Sequence, residues 1–549
     1  MIRPIRNFQR AAIDHPHAQS LAGPRGHFSV ADTWSLSQHL VLYLQERGVA
    51  SGDRVAICSA NSEYHLLLWI ACDQMGAVFV PLAKAAAPAD LRAMVADCAP
   101  CLLFSDQEGE LPLEVTAPAV AESVSSPECA LNNSQVINLG YLHEQLLAAH
   151  REQPFSPGEL AGEIAPVAEG SLAAIIYTSG TSGRPLGVEH SRETMYWAWA
   201  NYRDAFDYRN SDTGLALAPL SHIGGFNGTT NDIFCHGGKI VVIAGFSPLT
   251  AARIICDEQV TIGFAVPTMF TGMLDALEKE NGEPLKENPF PHWRRPLIGG
   301  APLPAALARR MEKLALRPIQ VWGMTETGGA GCYLGINESL QHPEAAGRPF
   351  TYSQVAVRDA DGKALPAGSQ GQVTIGGPHV CRTNYPGKAM PAIEGQIETG
   401  DIGFIGGDGL LRLSGRASDV IISGGEHVFP AQVEDALSTF PGIGQVAVIG
   451  LEDEYWGQRV CAVITGTATL EDIKPFLTGK LAAYKIPKQI IQIEKVPLNS
   501  AGKLSRQTLR ESLSNGGRGR KNLLPAIPRY SAQISGREVK TAPTRIQQN

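Results

Sequence analysis

The sequence predicts an α/β protein with a large N-terminal domain of layered α/β subdomains, a β-rich subdomain closing it, and a small α+β domain at the C-terminal side. Three observations carry this. The chain has 549 residues, and single hydrophobic cores stop growing at roughly 250–300 residues. Strand-like and helix-like runs alternate over the first part of the chain, which favours parallel α/β layers. The pattern then shifts to short runs beside glycines near residue 350, and shifts again from Asp419.

The elements follow in order. Trp34–Gly48 has helical spacing, Arg54–Cys58 reads as a short buried strand, His65–Met75 as a helix and Ala77–Leu82 as a strand. Ser171–Tyr177 (strand), Glu193–Phe206 (helix), Lys239–Ile243 (strand), Leu249–Glu258 (helix) and Ile262–Val266 (strand) continue the alternation. Ligands of such folds sit at loops after the carboxyl ends of strands. Ser353–Arg358, Gly371–Ile375 and Gly403–Ile405 are the short β segments. Val420–Ile422, Pro430–Ser438, Val446–Ile449, Leu470–Leu481 and Gln489–Ile493 then give strand, helix, strand, helix, strand. The expected division is 1–415 for the large domain, 416–418 for a hinge, 419–513 for the small domain and 514–549 for a disordered basic tail. That tail carries seven basic residues against one acid, Glu538, and has little apolar content.

Composition removes several classes. A net charge of -8 argues against a protein that coats nucleic acid. No apolar stretch approaches the roughly 18–20 residues of a membrane span, and no apolar segment follows the charged Met1–Arg6, so a signal peptide is not expected. The ten cysteines lie mostly in apolar runs, as buried small hydrophobes do. Cys98 and Cys101 form one close pair, read as a helix end followed by a strand because no second ligand pair stands nearby. A cytoplasmic protein is the expectation.

The strongest local signal is Tyr177-Thr178-Ser179-Gly180-Thr181-Ser182-Gly183-Arg184-Pro185-Leu186-Gly187. An apolar strand leads into a loop of glycines and hydroxyls, where backbone N–H groups can converge on an anion. The spacing is not that of a Walker loop. Gly442-Ile443-Gly444-Gln445-Val446-Ala447 matches Gly-x-Gly-x-x-Ala, but it follows a helix and precedes a strand, the reverse of a dinucleotide fingerprint.

The Thr178–Gly183 loop resembles the phosphate loop of the adenylate-forming superfamily, which joins acyl-CoA synthetases, nonribosomal peptide synthetase adenylation domains and beetle luciferases. Further motifs follow in that family's order from about Leu36 to Arg510. Gly300, Ala301 and Pro302, after the strand Pro296–Ile298, resemble the adenine-side loop. Val321-Trp322-Gly323-Met324-Thr325-Glu326-Thr327 resembles the aromatic-Gly-x-Thr-Glu motif, with Trp322 where tyrosine is common. The resemblance implies that Trp322 stacks on adenine, that Gly323 also belongs to the nucleotide site, that Thr325 bonds the α-phosphate and that Glu326 ligates Mg²⁺. Thr399-Gly400-Asp401 matches the ribose motif and Gly415-Arg416 the motif closing the large domain. His222, in Pro219–Gly225, resembles the histidine bordering the carboxylate, with Phe226–Ile233 as acyl-pocket wall. The pocket is expected around 222–227, 266–270, 300–301 and 322–325, where aromatic and small residues suit a medium aliphatic or an aryl acid.

In the small domain, Ser423-Gly424-Gly425-Glu426 matches the loop that borders the pantetheine tunnel of acyl-CoA synthetases, and Pro497–Arg506 the motif carrying the catalytic lysine, here Lys503. The resemblance implies two half-reactions. A carboxylate attacks the α-phosphorus of ATP·Mg²⁺ with Lys503 bridging the two anions; the mobile small domain then rotates and a thiol displaces AMP. The implied acceptor is coenzyme A; the alternative is the phosphopantetheine of a separate acyl or peptidyl carrier protein. The chain departs from the family at Leu186, where a lysine is usual, and at Ser418, where the hinge residue is usually Asp or Lys. Leu186 therefore leaves open a third reading, a nucleotide-binding homologue with weakened catalysis, although Glu326, Asp401, Arg416 and Lys503 are all present.

Overall fold

The computed structural model describes residues 3–107, 136–168, 170–179, 185–497 and 504–514. Gly180–Gly183, Lys503, Cys129 and the tail lie outside the described residues. Two compact units separate between Leu413 and Ser414.

Two sheets build the first unit. In one, the strands Arg54–Ser59, Val78–Ala83, Leu102–Ser105, Val136–Asn138 and Leu172–Ser179 run parallel. Pro185–Ser191 then pairs antiparallel with Leu172–Ser179, Ser179 facing Pro185. In the other, Gln19–Gly23, Lys239–Val242, Thr213–Ala216, Ile262–Ala265, Arg295–Gly299 and Ile319–Trp322 lie side by side and parallel. These are the layers that alternation predicts. The antiparallel region opens earlier than residue 350, at Cys332–Leu334, which pairs with Ile319–Trp322. It continues through Ala345–Pro349, Leu411–Arg416, Gln396–Ile405, Gly371–Gly376 and Gln354–Arg358. Gly403–Ile405 is thus the end of a ten-residue strand.

The helix Tyr64–Met75 is buried along all twelve residues, so no amphipathic period marks it and only its continuous apolar run does. Trp69 meets Phe226 edge-on at 5.5 Å, and Phe79 of the Val78–Ala83 strand lies 5.3 Å from the same ring. One core therefore reaches both sheets. Asp73, 1% exposed, holds Arg3 and Arg192, both buried, at 3.0 and 2.8 Å. Shared pairing compensates charges that would be costly to bury singly and pins the N-terminal helix Pro4–Asp14. The Cys98 pair is as read: helix Pro88–Cys98, then strand Leu102–Ser105.

The second unit is a five-stranded sheet with helices. Val446–Ile449 belongs to the longer strand Ile443–Asp453, whose antiparallel partner Gly457–Gly466 was not anticipated. The helix expected over Leu470–Leu481 stops at Leu477, where Thr478 turns to extended backbone (φ -61°, ψ 127°). A helix Arg506–Ser514 ends the described part of this unit. Among the described residues no helix is long and apolar enough to cross a membrane.

Candidate active site

Four parallel strands, Thr213–Ala216, Ile262–Ala265, Arg295–Gly299 and Ile319–Trp322, end on one edge of their sheet. The loops leaving that edge carry His222, Val266, Gly300–Pro302 and Trp322–Glu326. This is the edge where open α/β sheets bind ligands.

The first loop is stapled from the other sheet. Asn61, buried just past the strand Arg54–Ser59, donates to Ala218 O at 3.0 Å and Ala216 O at 3.3 Å and accepts from Leu220 N at 2.8 Å. His222, half-buried, follows directly, and its carbonyl accepts from Phe226 N at 3.0 Å. A Cβ on Gly225 would lie 2.5 Å from Pro219 O and 2.6 Å from Ala218 O, so only glycine lets the next helix start against this loop. That helix, Gly224–Asn231, is wound with i→i+5 bonds and leads into Asp232–Cys235; the anticipated pocket wall 226–233 is this helical stretch. π-helical turns of this kind concentrate at functional sites.

The half-buried Phe264 ring connects the first and third loops. It lies 3.0 Å from where a Cβ would stand on Gly224 and 3.1 Å from one on Gly299. Gly300, Ala301 and Pro302 are exposed, while Leu303 is buried and anchors the loop.

The fourth loop folds back tightly. A Cβ on Gly323 would stand 2.0 Å from Gly329 O, so a side chain there would open the turn. Thr327 Oγ1 accepts from Met324 N at 3.1 Å and donates to Met324 O at 3.0 Å. Thr325 and Glu326 sit half-buried in the short 3₁₀ turn Thr325–Thr327. Cys381 N donates to Glu326 O at 2.7 Å, and Cys381 Sγ lies 3.2 Å from His190 Nδ1. Burial pushes the Cys381 thiol up and holds His190 down to about 3, so this support under Glu326 is uncharged.

Two hydrogen-bond links join these pieces. Trp199 Nε1 donates to Asn227 Oδ1 at 2.6 Å, and Asn227 Nδ2 donates to Gly328 O at 2.8 Å. The 224–231 helix is thereby tied to the Trp322–Gly329 turn. Trp322 Nε1 donates to Asp401 Oδ2 at 3.1 Å, joining the expected adenine and ribose residues. Asp401, 7% exposed, is fixed by Asp401 N donating to Thr399 Oγ1 at 3.1 Å.

At the entry to the expected phosphate loop, Thr178 pairs in register with Leu186 and its hydroxyl donates to Leu186 O at 3.4 Å. Tyr177 OH donates to Asp97 Oδ2 at 2.6 Å, which fixes the base of the loop. Ser179 ends the strand. A single carboxylate suits Mg²⁺, which is commonly held by one or two carboxylates and substrate phosphates. Among the described residues there is no group of three or more His, Cys, Asp and Glu that could hold a metal ion.

In the second unit, Gly424 and Gly425 form the exposed turn between Ile421–Ser423 and Glu426–Val428, with Glu426 exposed. Gly424 N donates to Trp456 O at 2.8 Å. Arg416 is exposed. Arg506 reaches both oxygens of Glu434 at 2.6 and 2.7 Å, and Arg510 reaches Asp419 at 3.3 Å. The helix after the lysine motif is thus bound to Asp419, beside the expected hinge.

Sequence reasoning missed Asn61, Trp199 and Phe264, none of which stands in a motif. The one available signal was the position of Asn61 just beyond a strand's carboxyl end.

The model of the AMP-binding enzyme family matches residues 8–385, and that of the AMP-binding enzyme C-terminal domain matches 432–503. A long-chain-fatty-acid–CoA ligase, FadD13, of Mycobacterium tuberculosis is 30% identical over 516 residues, covering 92% of this chain and 97% of its own. A fatty acid–[acyl-carrier-protein] ligase, ScoC, of Streptomyces coeruleorubidus is 30% identical over 496 residues, with coverages of 86% and 89%. The solved structure of o-succinylbenzoate CoA synthetase (MenE) from Bacillus subtilis, in complex with its acyl-adenylate intermediate, superposes with a TM-score of 0.78 at 24% identity. That match covers 94% of this chain and 99% of the other, and shows the fold. The chain belongs to the AMP-binding enzyme family and is an ATP-using acid–thiol ligase of the acyl-CoA synthetase kind.

Proposed function

We propose that this protein joins a medium aliphatic or aryl carboxylic acid to coenzyme A through an acyl-adenylate, with Mg²⁺ neutralising the phosphates. The observation that carries the reading is the convergence of His222, Gly300–Pro302 and Trp322–Glu326 on one strand edge, with Asp401 bonded to Trp322. In this reading the Trp322 face and the Gly300–Pro302 loop receive adenine, and Asp401 accepts from the ribose hydroxyls. The 178–183 loop and Thr325 bind phosphate oxygens, and Glu326 holds Mg²⁺. His222 borders the acid carboxylate, which attacks the α-phosphorus as pyrophosphate leaves. Lys503 stabilises the charge that builds between the two anions. Rotation about 416–418, with Arg416 near the nucleotide, brings the Gly424–Glu426 loop to the acceptor thiol. The thiol then attacks the mixed anhydride and AMP leaves.

A second reading, transfer to a carrier protein, is favoured by the likeness to the ScoC ligase. One experiment separates the two. Pyrophosphate release is measured over aliphatic and aryl acids, with CoA, with phosphopantetheinylated carrier protein, and with neither. Acid-dependent release with acyl-CoA formed establishes the first reading, and acyl-carrier product alone establishes the second. ATP binding with no release from any acid points to catalysis lost at Leu186.

A further inference from the structure

We infer that Trp322 acts as a positioning residue for ribose recognition, its indole N–H setting the orientation of the Asp401 carboxylate that receives the ribose hydroxyls. This rests on the adenylation reading above and goes beyond the stacking role of an aromatic at this position.

The indole is held on several sides. Trp322 ends the strand Ile319–Trp322 and pairs with Cys332. Its ring packs against two small apolar clusters of the antiparallel region, one containing Val373 and Leu411, the other Ile375 and Ile397. A Cβ on Gly331 would meet Trp322 Cε3 at 2.7 Å, so the indole packs directly against bare backbone there. With the ring fixed by packing, the direction of its N–H is fixed too, and that N–H meets Asp401 Oδ2 at 3.1 Å. The other end is equally set. Asp401 lies on the strand Gln396–Ile405, its backbone N–H donates to Thr399 Oγ1 at 3.1 Å, and Thr399 Oγ1 donates to Val373 O at 2.8 Å. A carboxylate that receives two adjacent hydroxyls needs a defined plane, and a directed N–H···O bond supplies one. Phenylalanine has no donor. Tyrosine carries its donor on the ring axis, not on the ring edge where the indole N–H lies. Of the three aromatics, only tryptophan offers the base a flat face and the carboxylate an edge-on donor from one rigid side chain.

The test compares ATP with 2′-deoxy-ATP in the full-length protein, by kcat/KM for pyrophosphate release and by direct binding of AMP and 2′-deoxy-AMP. The variants are Trp322→Phe, Trp322→Tyr, Asp401→Ala and the Trp322→Phe/Asp401→Ala double variant, each checked for an intact thermal melt. Trp322→Phe and Trp322→Tyr are expected to lower the preference for the ribonucleotide about tenfold, because 2′-deoxy-ATP has less to lose. In the Asp401→Ala background, Trp322→Phe should change the preference less than twofold. If Trp322→Phe and Trp322→Tyr weaken both nucleotides equally and leave the preference intact, the indole acts through its ring alone and the inference is overturned, while the adenylation reading stands. Wild-type protein that binds neither nucleotide overturns both.

Discussion

Replacing Asn61 by alanine should loosen the His222 loop without touching any residue expected to meet a substrate. The side chain is 9% exposed and makes two good bonds, to Ala218 O at 3.0 Å and from Leu220 N at 2.8 Å. Each net bond contributes about 1 kcal/mol, and each buried partner left unpaired costs about 1–3 kcal/mol. With two partners left unpaired the total is about 2–6 kcal/mol, divided between global stability and local release of the loop. If half of it appears as loop disorder that acid binding must repair, the KM for the acid rises by about tenfold or more, since 1.4 kcal/mol is a factor of ten. The KM for ATP should change less than threefold, because the Trp322–Asp401 pair shares no bond with Asn61. The assay is pyrophosphate release with acid and ATP varied separately, beside urea unfolding of both proteins. Equal rises in the two KM values, or a destabilised protein with an unchanged acid KM, would refute the assignment of this loop to the acid.

Leu186→Lys is expected to lower the KM for ATP about tenfold, through a cation beside the phosphates; an unchanged KM would mean that this strand position does not face them. Lys503→Ala should slow acid-dependent pyrophosphate release by about 10²-fold or more. It should leave thioester formation from a supplied acyl-adenylate near the wild-type rate, and equal losses in both would remove the lysine's assignment to the first half-reaction. His65, His190 and His379 are buried, and burial holds them down to about 4, 3 and 4 from an ordinary 6.5. The unfolded chain therefore binds protons at these positions that the folded protein does not. Stability should fall as pH drops below 6.5 and stop responding to these groups below about 3. Urea midpoints from pH 7 to 4 check the sign, and His190→Gln should flatten the slope.

The α/β layers were legible because buried parallel strands are continuous apolar runs and their helices recur at regular intervals, as from Arg54–Ser59 to Ile262–Ala265. The hairpin Ile443–Asp453 with Gly457–Gly466 was half-read. Its turn, Glu454-Tyr455-Trp456, lacks the Asn-Gly or Asp-Gly signal that marks a reversal. The helix Gly224–Asn231 was unreadable for a different reason. Gly-Gly-Phe-Asn-Gly-Thr-Thr-Asn has poor helix propensity, and tertiary bonds hold it, among them Asn227 to Gly328 O and Tyr208 OH to Gly228 O at 2.6 Å. Among the candidate site residues, motif carriers such as Trp322, Glu326 and Asp401 were visible one by one. Their supports were not: Asn61 finds its partners 155–159 residues away, and no local pattern encodes a bond of that span.

The Asn227 amide has a bearing on how this enzyme could be re-engineered. Acid preference is usually altered by exchanging residues along the pocket wall, which in the proposed reading includes Phe226–Asn231 of the 224–231 helix. One amide in that wall also holds the turn from which Thr325 and Glu326 project. Libraries that randomise Asn227 will return variants whose new acid preference is confounded with weakened nucleotide binding, and by linkage the two defects will be reciprocal. Keeping Asn227 and Trp199 fixed while varying Phe226, Thr229 and Thr230 separates the two properties in a way that the linear sequence does not suggest.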